Sequence, residues 1–226
     1  MDAVLECSVH GIISEQKVEQ LRARLRGWRE SEEVPTTVHE MNMRSAPFEG
    51  APSSEIRLIQ NLEHKQESDL EWRVRQYGAP QRGPGTEKLR AMVRGITESW
   101  CKGDAVLFFS SVGFSLQFEY VKRGLVFVCA EGGTPLTVKV VQICKLEEEG
   151  NVATAVPMSP NSWVVEVSVQ TSTESYAAAC ARLGLFSDRP ALASLVQLTK
   201  PHIPPGRPPP IIRIPPKPKA AAGALA

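Results

Sequence analysis

Gly113-Phe114-Ser115-Leu116-Gln117-Phe118-Glu119-Tyr120-Val121-Lys122-Arg123-Gly124-Leu125-Val126-Phe127-Val128-Cys129-Ala130-Glu131-Gly132-Gly133-Thr134-Pro135 is the stretch on which the fold turns. Phe114, Leu116, Phe118 and Tyr120 alternate with Ser115, Gln117, Glu119 and Val121, the two-residue period of a strand with one dry face. Lys122-Arg123-Gly124 breaks that run, and Leu125, Phe127 and Cys129 resume it on one side with Val126 and Val128 on the other. The pair reads as a hairpin. Residues 131–135 supply a second turn, because glycine reaches positive φ at little cost and proline presets the bend. Residues 136–145 follow as a third strand of about 33 Å, at roughly 3.3 Å per residue. Strands of this length need neighbours beside them and a cover for their apolar face.

Working outward, the N-terminal side supplies both. Residues 4–13 alternate Leu5, Cys7 and Val9 against Glu6, Ser8 and His10, so a strand is predicted. Ser14 then caps a helix whose Val18, Leu21, Leu25 and Trp28 form one apolar stripe. Residues 36–44 read as a strand, with Val38, Glu40 and Asn42 opposite Thr37, His39, Met41 and Met43, and residues 45–54 as a loop. Strands are predicted at 55–63 and 70–77, the second with Leu70, Trp72 and Val74 on one face and Glu71, Arg73 and Arg75 on the other. After a loop at 78–85, Thr86 caps a predicted helix with Leu89, Met92, Val93, Ile96 and Trp100 inward. Residues 104–111 fit either a short helix or a strand, since so short an apolar run does not decide.

Beyond the central stretch, residues 147–161 read as a loop and 162–172 as a strand with Val165, Val167 and Val169 on one face. Residues 173–183 read as a helix ended by Gly184, and Pro190 begins a last short helix carrying Leu192, Leu195 and Val196. Seven or eight strands, mostly connected without intervening helices, argue against repeated βαβ units. Closing such a sheet removes its edges. The predicted class is α+β: a predominantly antiparallel β-barrel decorated by a few helices, one domain over residues 1–200.

Residues 201–226 differ in kind. Nine of the eighteen residues from 201 to 218 are proline, which excludes helix and central strand and favours extended polyproline II in a disordered tail. Pro205 to Pro208 has the spacing read by proline-binding domains, which leaves a minor alternative of an adaptor working through this tail. Net charge is +1 over all 226 residues, but the five basic residues after position 199 face no acid, leaving residues 1–199 at −4. That balance gives no global preference for nucleic acid. Cys7, Cys101, Cys129, Cys144 and Cys180 are odd in number and scattered, as buried hydrophobes in a reducing compartment would be. No basic leader and no apolar run near the roughly 20 residues of a membrane helix occur, so a soluble intracellular protein is expected.

The assembled segments resemble the subunit 18 family of the Mediator complex. The resemblance is carried by Leu5-Glu6-Cys7-Ser8-Val9 leading to Leu25-Arg26-Gly27, by Val38-His39-Glu40-Met41, and by Trp72-Arg73-Val74-Arg75-Gln76-Tyr77-Gly78. It continues in Met92-Val93-Arg94, Val112-Gly113-Phe114, Phe118-Glu119-Tyr120-Val121 and Lys122-Arg123-Gly124, with Phe127 three residues on. Order and spacing hold from about residue 4 to 200. The resemblance implies a nuclear, non-catalytic subunit of the Mediator head module with a barrel fold. It further implies pairing with the barrel-shaped subunit 20 and attachment through a C-terminal helix of subunit 8. The proline-rich tail departs from that pattern. No partner-contact residue, cofactor or metal ligand is carried over.

Barrels of this sort also resemble the triphosphate tunnel enzymes, the rival from another class. Such an enzyme needs basic groups for phosphates and carboxylates for a divalent ion, and two carboxylates at i and i+2 on one strand would aim at one metal. Here Glu6 is followed by Ser8, Glu166 by Ser168 and Glu71 by Arg73. The Glu-x-Glu pairs, Glu30/Glu32 and Glu147/Glu149, fall at a helix end and in a loop, where solvated turns are the plain reading. Arg73, Arg75 and Lys139 either line a lumen or face solvent, since alternation identifies a face without saying which way it points.

The remaining candidates are weaker. Gly83-Pro84-Gly85 with Lys88 lacks the Gly-Lys-Ser/Thr ending of a phosphate loop. His10, His39, His64 and His202 show no ligand spacing. Phe114, Phe118, Phe127 and Trp72 are expected in the core.

Overall fold

A computed structural model describes residues 4–47, 53–63, 71–81 and 85–201. Nine strands and four helices are present among them: β1 Leu5–Ser14, α1 Glu15–Trp28, β2 Val34–Ser45, β3 Glu55–Asn61, β4 Glu71–Pro80, β5 Met92–Lys102, α2 Ala105–Ser111, β6 Phe114–Glu131, β7 Thr134–Leu146, β8 Ala155–Pro157, β9 Ser162–Thr171, α3 Tyr176–Ser187 and α4 Pro190–Ala193. The sheet runs β6-β2-β3-β4-β5-β1-β9-β7, and β6 pairs again with β7, so eight antiparallel strands close on themselves. β8 is a three-residue addition to the C-terminal end of β7, at Cys144, Lys145 and Leu146, beyond the stretch that pairs with β9. The predicted antiparallel barrel with a few helices is the observed fold.

Two long strands make the closure possible. β6 spans 18 residues and pairs with β2 along its first part and with β7 along its second. The predicted hairpin at Lys122-Arg123-Gly124 is therefore a correction: the chain runs straight through as one strand, and these three residues pair on both sides. Gly124 is there for close approach, because a Cβ on it would lie 2.1 Å from the Val140 carbonyl oxygen of β7. The turn at Gly132-Gly133 is as expected, with φ of 55° and 78°.

The predicted helix over residues 86–100 is the second correction, for this segment contributes β5. Leu89, Met92, Val93, Ile96 and Trp100 do recur at helical spacing, but Val93, Ile96 and Thr97 are β-branched, and hydrogen-bonded partners wait on both sides in β1 and β4. Pairing on two edges outweighs a weak local preference. Residues 104–111 form α2, where Asp104 Oδ1 accepts from the Leu107 N–H at 2.8 Å and caps the first turn. Helix α3 begins three residues later than predicted and continues past Gly184 to Ser187, with Leu183, Gly184 and Phe186 all buried. The loop predicted at 147–161 contains a 3-10 turn at Val152–Thr154 as well as β8. Ser14 precedes α1 as expected, although its side chain makes no capping bond.

The core lies on the outside of the barrel. Leu5, Cys7 and Val9 of β1, Phe127 and Cys129 of β6 and Val165 and Val167 of β9 join Leu21 and Leu25 of α1 and Leu183 and Phe186 of α3 in one buried cluster. A second cluster places Met41, Met43, Ile56, Leu58 and Trp72 of β2–β4 under Ala105, Val106 and Phe109 of α2. His39, on this outer face, contacts Glu119 at 2.7 Å, and the Glu119 carboxylate also accepts from the Gly150 N–H. Helices thus cover the apolar face of the strands, and the polar face is left to the interior. Of the sequence candidates, residues 64, 70, 83, 84 and all of the proline-rich tail after residue 201 lie outside the described residues.

Candidate functional site: the charged lumen and the outer apolar patch

The barrel encloses a cavity of about 1340 Å³, lined among others by Glu6, Glu40, Arg73, Arg75, Lys122 and Lys139. Arg73, Arg75 and Lys139 therefore point inward, and so does the Glu6 side of β1. The inward carboxylates come from separate strands: Glu6 from β1, Glu40 from β2, Glu98 from β5 and Glu166 from β9. An i, i+2 test along one strand cannot find such a set, because the groups meet across the barrel.

Register brings three of the four acids to a base, and Glu40 to Tyr120. Glu6 is directly opposite Arg94, Arg75 opposite Glu98, and Lys139 opposite Glu166. Glu6 is held by Arg94 at 3.0 Å and Arg75 at 3.3 Å, and Arg75 makes a second short contact to Glu98. Lys122 reaches Glu40 at 2.9 Å and Glu166 at 3.9 Å, while the Tyr120 hydroxyl donates to Glu40 at 2.6 Å. The Tyr77 ring lies beneath the guanidinium groups of Arg57, Arg75 and Arg94, the last 3.6 Å from its centroid.

Burial governs the ionisation of these groups and is overruled by their partners. Burial alone would push the Glu166 carboxyl up, but Lys139 and Lys122 hold it down at about 2. Glu40 is likewise lowered by Lys122 and Tyr120 against the pull of burial, and the Lys122 ammonium is raised by Glu40 and Glu166. At His10 burial prevails and lowers the imidazole below its ordinary 6.5. Its Nε2 and the Ser8 hydroxyl, both on the inward side of β1, are buried without a hydrogen-bond partner.

This arrangement can hold charge and water, and it is poorly suited to holding a divalent ion. Glu6, Glu40, Glu98 and Glu166 are already engaged by cations, Glu63 and Glu71 also line the cavity, and no group of three or more His, Cys, Asp or Glu side chains is placed to ligate a metal among the described residues. Glu71, the third carboxylate tested in sequence, sits at the cavity mouth opposite Lys102. Glu30, Glu32, Glu147 and Glu149 are not in the lumen lining. Phe127 and Trp72 are buried in the outer clusters, whereas Phe118 stacks on Tyr120. Arg94 and Lys122 were missed in sequence.

On the outside, α2 leaves an apolar patch uncovered. Leu107 is 66% exposed, Phe108 59% and Val112 56%, while Phe109 of the same helix packs edge-on against Phe114. No helix of the described residues is long and apolar enough to cross a membrane.

A solved chain in the Schizosaccharomyces pombe Mediator head module superimposes with a TM-score of 0.68 at 16% identity, covering 88% of this chain and all of that one. A Pyrococcus horikoshii protein of known structure shares the fold at a TM-score of 0.53 and 14% identity, covering 87% of this chain and 94% of that one. In sequence, Mediator of RNA polymerase II transcription subunit 18 of Arabidopsis thaliana is 32% identical over 199 residues, 88% of each chain. The model of the Med18 protein family matches residues 5–202, nearly the whole barrel with its helices. The chain belongs to the Mediator subunit 18 family.

Proposed function

We propose that the protein is a non-catalytic architectural subunit of the Mediator head module, a nuclear coactivator component that helps couple transcription regulators to RNA polymerase II. Family membership across residues 5–202 carries this reading. The lumen supports it, because carboxylates already bound by Arg94, Arg75, Lys122 and Lys139 are not free to hold a catalytic ion. Residues 1–200 act as one barrel domain, set apart in composition from the basic, proline-rich residues 201–226.

Its partners are the barrel-shaped subunit 20 and the C-terminal helix of subunit 8. Lasting subunit interfaces bury about 2,000 Å² or more and are apolar, and the open face of α2 at Leu107, Phe108 and Val112 is surface of that kind. The test is purification of the tagged full-length chain from nuclear extract in moderately high salt, followed by mass spectrometry. Head-module subunits in near-equal amounts are expected; recovery of the chain alone overturns the reading. The rival, a metal-dependent triphosphate hydrolase, requires phosphate release that a chelator abolishes and that Glu6→Gln with Glu166→Gln removes.

A further inference from the structure

Trp100 is 64% exposed, and it stands at the mouth of the cavity beside Lys102. Arg73, opposite it on β4, lies 5.8 Å from the ring centroid. The strand that carries the indole is open as well. β5 pairs with β4 as far as Lys102 but with β1 no further than Gly95, after which the Ile96 N–H donates to the Val4 carbonyl. Among the described residues, β5 beyond Ile96 therefore has a strand on one side alone. By alternation the Trp100 N–H points to the open side, as that of Ile96 does. An aromatic ring beside unpaired donors suits a proline-rich segment. Its polyproline II shape is already formed, its rings lie on the aromatic face, and its carbonyls accept although proline has no N–H to give.

Such a segment starts on the same side of the barrel. Thr199 bridges His10 of β1 in antiparallel sense, on the edge opposite to β9, and so runs in the direction of β5. The chain has to leave the sheet near Pro201, because Met92 of β5 takes the place beside Ser8. From Thr199 the level of Trp100 is reached by two positions along β1, His10 to Ser8, and eight along β5, Met92 to Trp100. That is about 33 Å at roughly 3.3 Å per residue. In polyproline II, at roughly 3.1 Å per residue, about eleven residues cover the same distance, which brings Pro208, Pro209 and Pro210 to the indole. Charge agrees with length. Arg207, Arg213, Lys217 and Lys219 flank these prolines with no acid among them, while Glu63 and Glu71 at the rim are in no ion pair among the described residues and outnumber Lys102.

We propose that the chain's own proline-rich tail docks at the barrel mouth, with Pro208-Pro209-Pro210 against Trp100 and the basic residues around them toward Glu63 and Glu71. The tail so placed covers the entrance to the lumen. Docking is intramolecular and independent of assembly into Mediator. Its test is photo-cross-linking of the full-length chain carrying p-benzoylphenylalanine in place of Lys102, which is exposed and leaves Trp100 intact, with the links mapped by mass spectrometry. Links to residues 205–216 of the same chain are expected. Trp100→Ala should lower their yield roughly fivefold or more, and so should Pro208→Gly, Pro209→Gly and Pro210→Gly together. Glu63→Gln with Glu71→Gln should lower it roughly twofold, as loss of exposed charge does. The same cross-linker in place of Phe108, on α2, should not reach the tail. Without any cross-linker, the three proline-to-glycine changes should raise iodide quenching of tryptophan emission, and Trp100→Phe should abolish that rise. Links that survive Trp100→Ala, links that join two chains, or quenching that the glycine changes leave unaltered overturn the proposal.

Discussion

On β1, Leu5, Cys7 and Val9 point out into a cluster shared with α1 and α3, while Glu6, between the first two, points in and is held by Arg75 and Arg94. The same ten-residue strand thus serves two interiors of opposite chemistry. The outer one is dry and close-packed, and its stabilisation is local, scaling with apolar area removed from water. The inner one is charged, and each group depends on partners delivered by other strands. Removing an outer residue leaves a cavity; removing an inner one leaves a charge without its counter-charge. The two should differ in how mutations depend on pH and in how far their effects spread.

The largest effect is expected outside. Phe127 is fully buried between β6 and the helices, and Phe127→Ala should cost about 4 kcal/mol through lost burial and the cavity left behind. Chemical denaturation at pH 7 and pH 5 should give the same loss, because no titrating group is removed. A loss that changed with pH would break the distinction between the two interiors.

Inside, Glu166→Gln should cost roughly 3 kcal/mol at pH 7 and should do so in a pH-dependent way. The folded carboxyl is held at about 2 against an ordinary 4.5, so its contribution is fully present above about 4.5 and is lost as pH falls toward 2. The stability difference between wild type and variant should therefore close over that window. A constant difference down to pH 2 would mean that the lumen is stabilised by packing rather than by charge. A smaller effect, about 2 kcal/mol, is expected for Gly124→Ala, whose new methyl would press on the Val140 carbonyl where β6 and β7 seal the barrel. Denaturation of that variant reads whether closure itself is strained.

The partition of each strand into two faces was legible in the alternation of β1, β4 and β9. Which face points inward was not, because period two is symmetric about the sheet plane and only the covering helices break the symmetry. Arg73, Arg75 and Lys139 could be named from their strands as lumen candidates. Arg94 and Lys122 could not, since Arg94 sat in a segment with helical spacing and Lys122 in an apparent turn. Both errors share a cause: β5 and the middle of β6 take their conformation from partners on either side, which distant sequence supplies. The ion pairs were hidden for the same reason, each being made across strands in a register that only the closed barrel sets.

The smallest effect on stability is expected where neither interior is touched, and there the comparison extends to function. Phe108 is 59% exposed and meets the second cluster only through an edge-on contact with Phe109, so Phe108→Ser should change folding stability by no more than about 1 kcal/mol. If α2 is a subunit-binding surface, the same substitution removes an aromatic group from an interface, where such groups commonly carry about 2 kcal/mol or more of binding. Recovery of head subunits with the tagged chain should then fall while the melting temperature stays level. Phe109→Ser, one residue along and packed against Phe114, should reverse the order and lower the melting temperature first. Equal recovery with wild type and Phe108→Ser would place the assembly surface elsewhere on the barrel and leave the exposure of α2 without a role in binding.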